Sequence, residues 1–373
     1  MKTDRLIEEL YREHTLSDED YRLLIEGLRQ EIREIDPGEL YQLLRKDPET
    51  SHPDRPILQL FHRAQQVRES VYQKEVYLRG LIEFTNVCKN NCYYCGIRAG
   101  NAQAERYRLS KEQILACADQ GYHLGFRTIV LQGGEDPYYD DAMICDIVRG
   151  IKQQHADCAV TLSIGEKEKE SYQAYYDAGA DRYLLRHETA NEQHYKQLHP
   201  DSMSWQHRRK CLYDLKEIGY QVGCGMMVGS PGQTTDHLIE DIRFMQELGP
   251  HMIGIGPFIP HKDTPCREEK PGTLYDTLIL LAVMRMTYPR VLLPATTALG
   301  TIHPLGRELG LLAGANVVMP NLSPGDVREK YLLYDGKICT GDEAAECRHG
   351  MERRVASVGY QVLVSRGDWR GQS

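Results

Sequence analysis

Long hydrophobic runs are missing from this sequence of 373 residues. The longest, Leu278 to Met284, falls well short of the ~18–20 apolar residues that cross a bilayer, so no membrane partner is expected. An excess of basic charge is also missing. Lys and Arg number 45 against 54 Asp and Glu, for a net charge of -9, which argues against a surface built to neutralise nucleic-acid phosphates. The opening Met1-Lys2-Thr3-Asp4-Arg5 lacks the basic-then-apolar layout of an export signal, so a cytoplasmic location is expected. The stretch Gly223-Cys224-Gly225-Met226-Met227-Val228-Gly229 has its glycines at the wrong spacing for a dinucleotide fingerprint and reads as close packing plus a loop. His187-Glu188-Thr189-Ala190-Asn191 lacks the second His of a zincin, and the 14 histidines show no ligand spacing.

What is present is a composition for a packed globule, 41% hydrophobic and 27% charged. Cysteines number 11, odd, in a chain with no export layout, which favours metal or redox use over a disulfide framework. The pattern is helical through residue 75: a Leu6, Ile7, Leu10, Tyr11 stripe, a cap at Ser17 with Leu16 and Tyr21 as a staple, and Pro37 opening another helix. A looser stretch surrounds Pro48, Pro53 and Pro56. From residue 76 short apolar runs alternate with amphipathic segments. Eight runs read as strands: Val76–Phe84, Thr128–Leu131, Ala159–Ile164, Arg182–Arg186, Gln221–Val228, Met252–Phe258, Val291–Thr296 and Asn316–Met319. Several are apolar throughout, as parallel strands covered on both faces are.

Eight strand–helix units predict an α/β fold, a (β/α)8 TIM-type barrel over residues 76–322. A helical extension (1–75) precedes it, and a short C-terminal tail (323–373) packs on it. Barrel chemistry gathers after the strands, which directs attention to residues 88–95, 133–135, 163, 166, 186, 188, 229–233, 296–297 and 321. Cys88, Cys92 and Cys95 lie there in C-x3-C-x2-C spacing. Three thiolates on one short loop can hold three corners of a 4Fe–4S cubane and leave the fourth iron open. Asn90, Asn91 and Gly96 suit a tight loop that turns N–H groups toward sulfur. A zinc knuckle needs a fourth ligand, and no second Cys pair follows nearby.

This triplet, with Tyr94 before its last Cys, resembles the radical S-adenosylmethionine (SAM) superfamily. The longer string from Glu83-Phe84-Thr85-Asn86 to Gly96-Ile97-Arg98 resembles the HydE type of FeFe hydrogenase maturases. So do Gln132-Gly133-Gly134-Glu135-Asp136, Leu185-Arg186-His187-Glu188-Thr189, the Met227–Thr234 segment and Pro294-Ala295-Thr296-Thr297-Ala298-Leu299. The resemblance implies a 4Fe–4S cluster and SAM as cofactors, with reductive cleavage of SAM to a 5′-deoxyadenosyl radical. It implies Gly133, Gly134 and Glu135 for the SAM amino group, Arg186, Glu188 and Arg208 for its carboxylate and ribose, and Tyr94 for adenine. It places Ser163, Thr296, Thr297, Met319 and Tyr331 around the substrate, where barrel-interior packing is the competing reading. The implied substrate is a sulfur-bearing, cysteine-bound iron carbonyl–cyanide precursor. The implied partners are an electron donor and the other maturases, a tyrosine lyase and a scaffold GTPase.

Other readings stay open at this point: methylornithine synthesis, sulfur insertion of the biotin-synthase kind, or a carrier that binds a cluster without cleaving SAM. Cys158 and Cys224 fall on strands, so they do not exclude the second. Cys117, Cys145, Cys158 and Cys211 read as buried small hydrophobes. Glu166 to Glu170 is a solvated helix start, with Glu166 placed to face the site. Cys339 and Cys347 fall where some HydE-type proteins carry a second cluster, but the third position is Gly350, which predicts that none is held.

Overall fold

The computed structural model describes residues 2–46, 55–338 and 344–371. Pro48, Pro53 and Cys339 lie outside the described residues. The strands are β1 (Glu75–Leu78), β2 (Gly80–Thr85), β3 (Thr128–Gly133), β4 (Ala159–Ser163), β5 (Arg182–Leu184), β6 (Gln221–Cys224), β7 (Met227–Val228), β8 (Met252–Ile253), β9 (Gly256–Pro257), β10 (Val317–Val318) and β11 (Gln361–Leu363). Six of them form a parallel sheet in the order β2-β3-β4-β5-β6-β8. The ladder is not continuous around the ring. Single parallel bridges span the rest: Met252 to Leu292, Pro294 to Val317, and Leu81 to Asn321. A TIM-type barrel fits this path.

Three predicted runs are split: run 76–84 divides into β1, which pairs with β10 and β11, and β2 of the six-stranded sheet, and glycine explains the other two. A Cβ on Gly225, whose φ is 151°, would sit 2.0 Å from the Gly254 carbonyl oxygen. The two backbones touch there, so run 221–228 divides into β6 and β7, and run 252–258 into β8 and β9. The seventh run survives only as bridges; Pro294 within it has no N–H to offer a ladder.

The N-terminal helices Lys2–Glu13, Asp18–Ile32, Pro37–Leu44 and Pro56–Tyr72 share one apolar core with the barrel helices. Their starts follow the sequence: Ser17 accepts the Asp20 amide at 3.1 Å, and Asp36 caps the helix that Pro37 opens. Helix Leu274–Thr287 is buried on every face from Thr277 onward, because the extension covers the side that barrel helices usually give to water. That accounts for the apolar run Leu278 to Met284. At the other end of the chain β11 pairs in parallel with β1, and Asp368 holds the buried Arg182 at 2.6 Å. The ten described cysteines form no disulfide.

Candidate active site

The loop after β2 carries the cysteines, and the fold holds it from both sides. Arg106 donates to four carbonyls, those of Asn86 (2.6 Å), Ile97 (2.8 Å), Arg98 (2.7 Å) and Asn101 (3.2 Å). Asn91 Oδ1 accepts the Gly100 amide at 2.9 Å, and the Ala99 amide reaches the Asn90 carbonyl at 2.8 Å. Gly96 is required by crowding, since a Cβ there would lie 2.2 Å from the Leu332 oxygen. The backbone amides of Asn90 and Glu135 near Cys88, and that of Ile97 near Cys95, oppose the rise that burial gives these thiols. Burial pushes the Cys95 thiol up to about 12, with Cys88 the next cause, and pushes Cys92 well above its ordinary value. Three half-buried thiols crowded together favour their protons until a metal replaces them. Among the described residues no three His, Cys, Asp or Glu side chains are placed to hold one metal ion. A cubane asks for something else, one iron per thiolate, and three thiols on one tight loop that open on a single cavity fit that demand.

The strand ends complete the wall. A Cβ on Gly134 would fall 2.2 Å from the Val87 oxygen and 2.8 Å from the Cys88 Cβ, so the β3 turn rests directly on the cysteine loop. Glu135 turns through space left by Gly165 (φ 79°), and its Oε1 accepts the Glu166 amide at 3.0 Å. Arg208 donates to Glu166 Oε1 at 2.5 Å and to the Arg186 carbonyl at 3.2 Å. Glu166 does not face the cavity as the sequence suggested. Its carboxylate is taken by Arg208 and, at 3.6 Å, by His207. Arg186 Nε stands 3.9 Å from Glu188 Oε1, while Glu188 Oε2 is buried with no partner. An unpaired buried carboxylate oxygen is costly, which fits a place for a polar ligand group.

Tyr94 is set by a histidine. His199 Nδ1 faces the Tyr195 carbonyl at 3.0 Å, so that nitrogen carries the proton and Nε2 accepts from the Tyr94 hydroxyl at 3.3 Å. Burial, then Arg208, lowers His199 to about 3, so it is neutral at pH 7 and keeps this role. Replacing Tyr94 by Phe removes one neutral hydrogen bond worth about 1 kcal/mol. The expected result is a rise of about 5-fold or less in the SAM Kd by equilibrium dialysis, with iron content unchanged; loss of binding altogether would contradict this.

All fifteen candidate residues open on one cavity of about 340 Å³. They are Cys88, Cys92, Tyr94, Cys95, Gly133, Gly134, Glu135, Ser163, Arg186, Glu188, Arg208, Thr296, Thr297, Met319 and Tyr331. Thr296 Oγ1 is buried without a partner, and Gly256 leaves it room: a Cβ there would stand 2.7 Å from that oxygen. Gln132 donates to the Tyr331 hydroxyl at 3.3 Å. Sequence reasoning missed the floor of this wall. Lys337 Nζ meets Glu83 Oε1 at 2.6 Å with both side chains buried, and Asn321 Nδ2 donates to Glu83 Oε2 at 2.8 Å. Arg106 and Lys337 carried no sequence signal, since a single cation outside any motif has none. Away from the cavity, Cys347 is buried in helix Ala344–Ser357.

A barrel mouth with three clustered thiols, a glycine turn against them and a cation–carboxylate set beside them defines a class of radical-generating enzyme. The sequence profile of the radical SAM superfamily matches residues 82–245. The chain is 47% identical over 313 residues to the FeFe hydrogenase maturase subunit HydE of Thermotoga maritima, covering 84% of this chain and 88% of that one. It is 28% identical to a 3-methylornithine synthase of Methanosarcina acetivorans, over 76% of this chain and 79% of that one. In fold it is similar to crystalline methylornithine synthase (PylB), with a TM-score of 0.76 at 24% identity, covering 96% of this chain and 97% of that one. It is also similar to HydG, a maturase of the FeFe hydrogenase, with a TM-score of 0.72 at 20% identity, covering 97% of this chain and 79% of that one. The chain therefore belongs to the radical SAM superfamily and, within it, to the HydE family of FeFe hydrogenase maturases.

Proposed function

We propose that this protein cleaves SAM reductively and turns the radical on a sulfur-bearing small-molecule or organometallic substrate, in building the FeFe hydrogenase diiron cofactor. The observation that carries the reading is the single cavity shared by the cysteine loop, the SAM-side groups and the hydroxyl-bearing wall. When bound, the 4Fe–4S cluster and SAM supply a 5′-deoxyadenosyl radical. The residues of this chain bind and orient. Cys88, Cys92 and Cys95 would hold the cluster. The Gly133-Gly134-Glu135 turn offers carbonyls where no side chain blocks approach. Arg186, Glu188 and Arg208 would take the carboxylate and ribose of SAM, and Tyr94 would pack on its adenine. Ser163, Thr296, Thr297, Met319 and Tyr331 would line the substrate. The unpartnered Thr296 hydroxyl supports a hydrogen bond to it.

The proposed setting is the cytoplasm. The proposed partners are an electron donor and the other maturases, a tyrosine lyase and a scaffold GTPase. No helix among the described residues is long and apolar enough to cross a membrane. The proposed division is an extension (1–75), a barrel (76–322) and a C-terminal segment (323–373).

The test is anaerobic incubation of cluster-loaded protein with SAM and dithionite. Release of 5′-deoxyadenosine is expected, and its absence would leave a carrier rather than an enzyme. Formation of methylornithine from added lysine would reassign the substrate. Cys339→Ala is expected to leave 5′-deoxyadenosine release within about 2-fold of wild type, since Cys339 and Cys347 fall short of a cluster ligand set. Loss of activity in that variant would overturn the reading of the tail.

A further inference from the structure

The turn after β5 bends against its own stereochemistry. Glu188 adopts a φ of 64°, a left-handed conformation that few residues other than glycine take. Four hydrogen bonds hold it there, and two of them end on one atom. Asp241, on helix Thr235–Leu248, has a wholly buried side chain. Its Oδ1 accepts from His187 Nε2 at 3.1 Å and from the Ala190 amide at 2.5 Å. Those residues flank Glu188 on either side. The other two tie the turn to the neighbouring strand break. Gly225 donates its amide to His187 Nδ1 at 3.2 Å, and the Glu188 amide donates to the Gly225 carbonyl at 3.0 Å. A backbone amide can only donate, so His187 accepts at Nδ1 and donates from Nε2 to the carboxylate.

We propose that Asp241 and His187 are positioning residues for SAM recognition. They fix the left-handed turn that presents Glu188 and Arg186 to the cavity, though neither lines it. The inference deepens the assignment of Glu188 to SAM and rests on it. Two features separate it from simple core packing. The network converges on the one strained residue of the turn. That residue also carries an unpartnered buried oxygen that lines the cavity side, Oε2, whereas the other one in the network, Asp241 Oδ2, belongs to a residue that does not line the cavity.

The test compares wild type, Asp241→Asn, Asp241→Ala, His187→Asn and Glu188→Ala, each loaded with iron and sulfide anaerobically. SAM is the probe. The readouts are iron per chain, the thermal midpoint of the apoprotein, the SAM Kd by equilibrium dialysis, and kcat against KM for SAM cleavage. Asp241→Ala is expected to raise the SAM Kd by ~10-fold or more, with KM following, kcat within about 3-fold and iron unchanged. Asp241→Asn retains the Oδ1 acceptor and is expected to stay within about 3-fold of wild type in Kd. His187→Asn keeps an acceptor for Gly225, loses the link to Asp241 and is expected to move Kd in the same direction as Asp241→Ala. It carries the test if Asp241→Ala does not fold. Glu188→Ala is expected to weaken SAM binding directly. If Glu188→Ala weakens binding while the folded Asp241 and His187 variants bind SAM as wild type does, the positioning role is overturned and the Glu188 assignment stands. If Glu188→Ala itself binds like wild type, that assignment fails instead. Thermal midpoints that fall with no change in Kd would reduce the network to a packing role.

Discussion

Cys92→Ser is expected to lose the 4Fe–4S cluster and, with it, SAM cleavage. The three thiols stand on one loop and open on one cavity, so losing one leaves two of the three cluster corners held. A serine hydroxyl does not ionise near pH 7, so it offers iron no anionic donor. Removing a partner that merely orients a metal ligand costs about 10–100-fold, so removing the ligand itself is expected to exceed ~100-fold in 5′-deoxyadenosine release. Iron and sulfide per chain, measured beside the rate, separate cluster loss from misfolding when the apoprotein keeps its circular dichroism spectrum. A variant that retains four irons and full activity would refute the ligand assignment.

Lys337→Met is expected to destabilise the fold by about 3–5 kcal/mol, because it strands a buried carboxylate. Glu83 and Lys337 meet at 2.6 Å with side-chain exposures of 2% and 7%, so little water is available to replace the lost partner. Asn321 still donates to Glu83 Oε2, which a neutral amide cannot convert into charge balance. Removing both charges in Glu83→Leu/Lys337→Met is expected to recover most of the loss, since an apolar pair of similar volume often matches a buried ion pair. Urea unfolding of the three proteins reads this directly. A single variant within about 1 kcal/mol of wild type would show the pair to be solvated in practice.

The barrel was legible in the sequence because parallel strands covered on both faces are written as apolar runs, and eight of those at regular spacing leave few alternatives. Where runs 221–228 and 252–258 broke was not legible. The break comes from Gly225 and Gly254 meeting backbone to backbone where the neighbouring strands β6 and β8 end, a contact between residues 29 apart in the chain. The site was legible wherever chemistry needs a fixed local spacing, as in the cysteine loop and the Gly133-Gly134-Glu135 turn. Glu166 was misplaced because its charge alternation marks an exposed helix start but says nothing of Arg208, which claims the carboxylate from helix Trp205–Ile218. Arg106, Lys337 and Asp241 act through long-range contacts with backbone or with one buried partner, and an isolated charged residue looks the same in a sequence whether it is a surface group or a clamp. The run Leu278 to Met284 carried its message only in hindsight: a helix with no polar face must be covered on both sides, and the N-terminal helices are the cover.

The most direct measurement is magnetic resonance of the reduced, cluster-loaded protein with SAM labelled in turn at its amino nitrogen and its carboxylate oxygens. Hyperfine coupling of both labels to the cluster is predicted, since three thiolates leave one iron to chelate them. A cluster that shows no coupling to either label, or protein that takes up zinc in place of iron, would contradict the account.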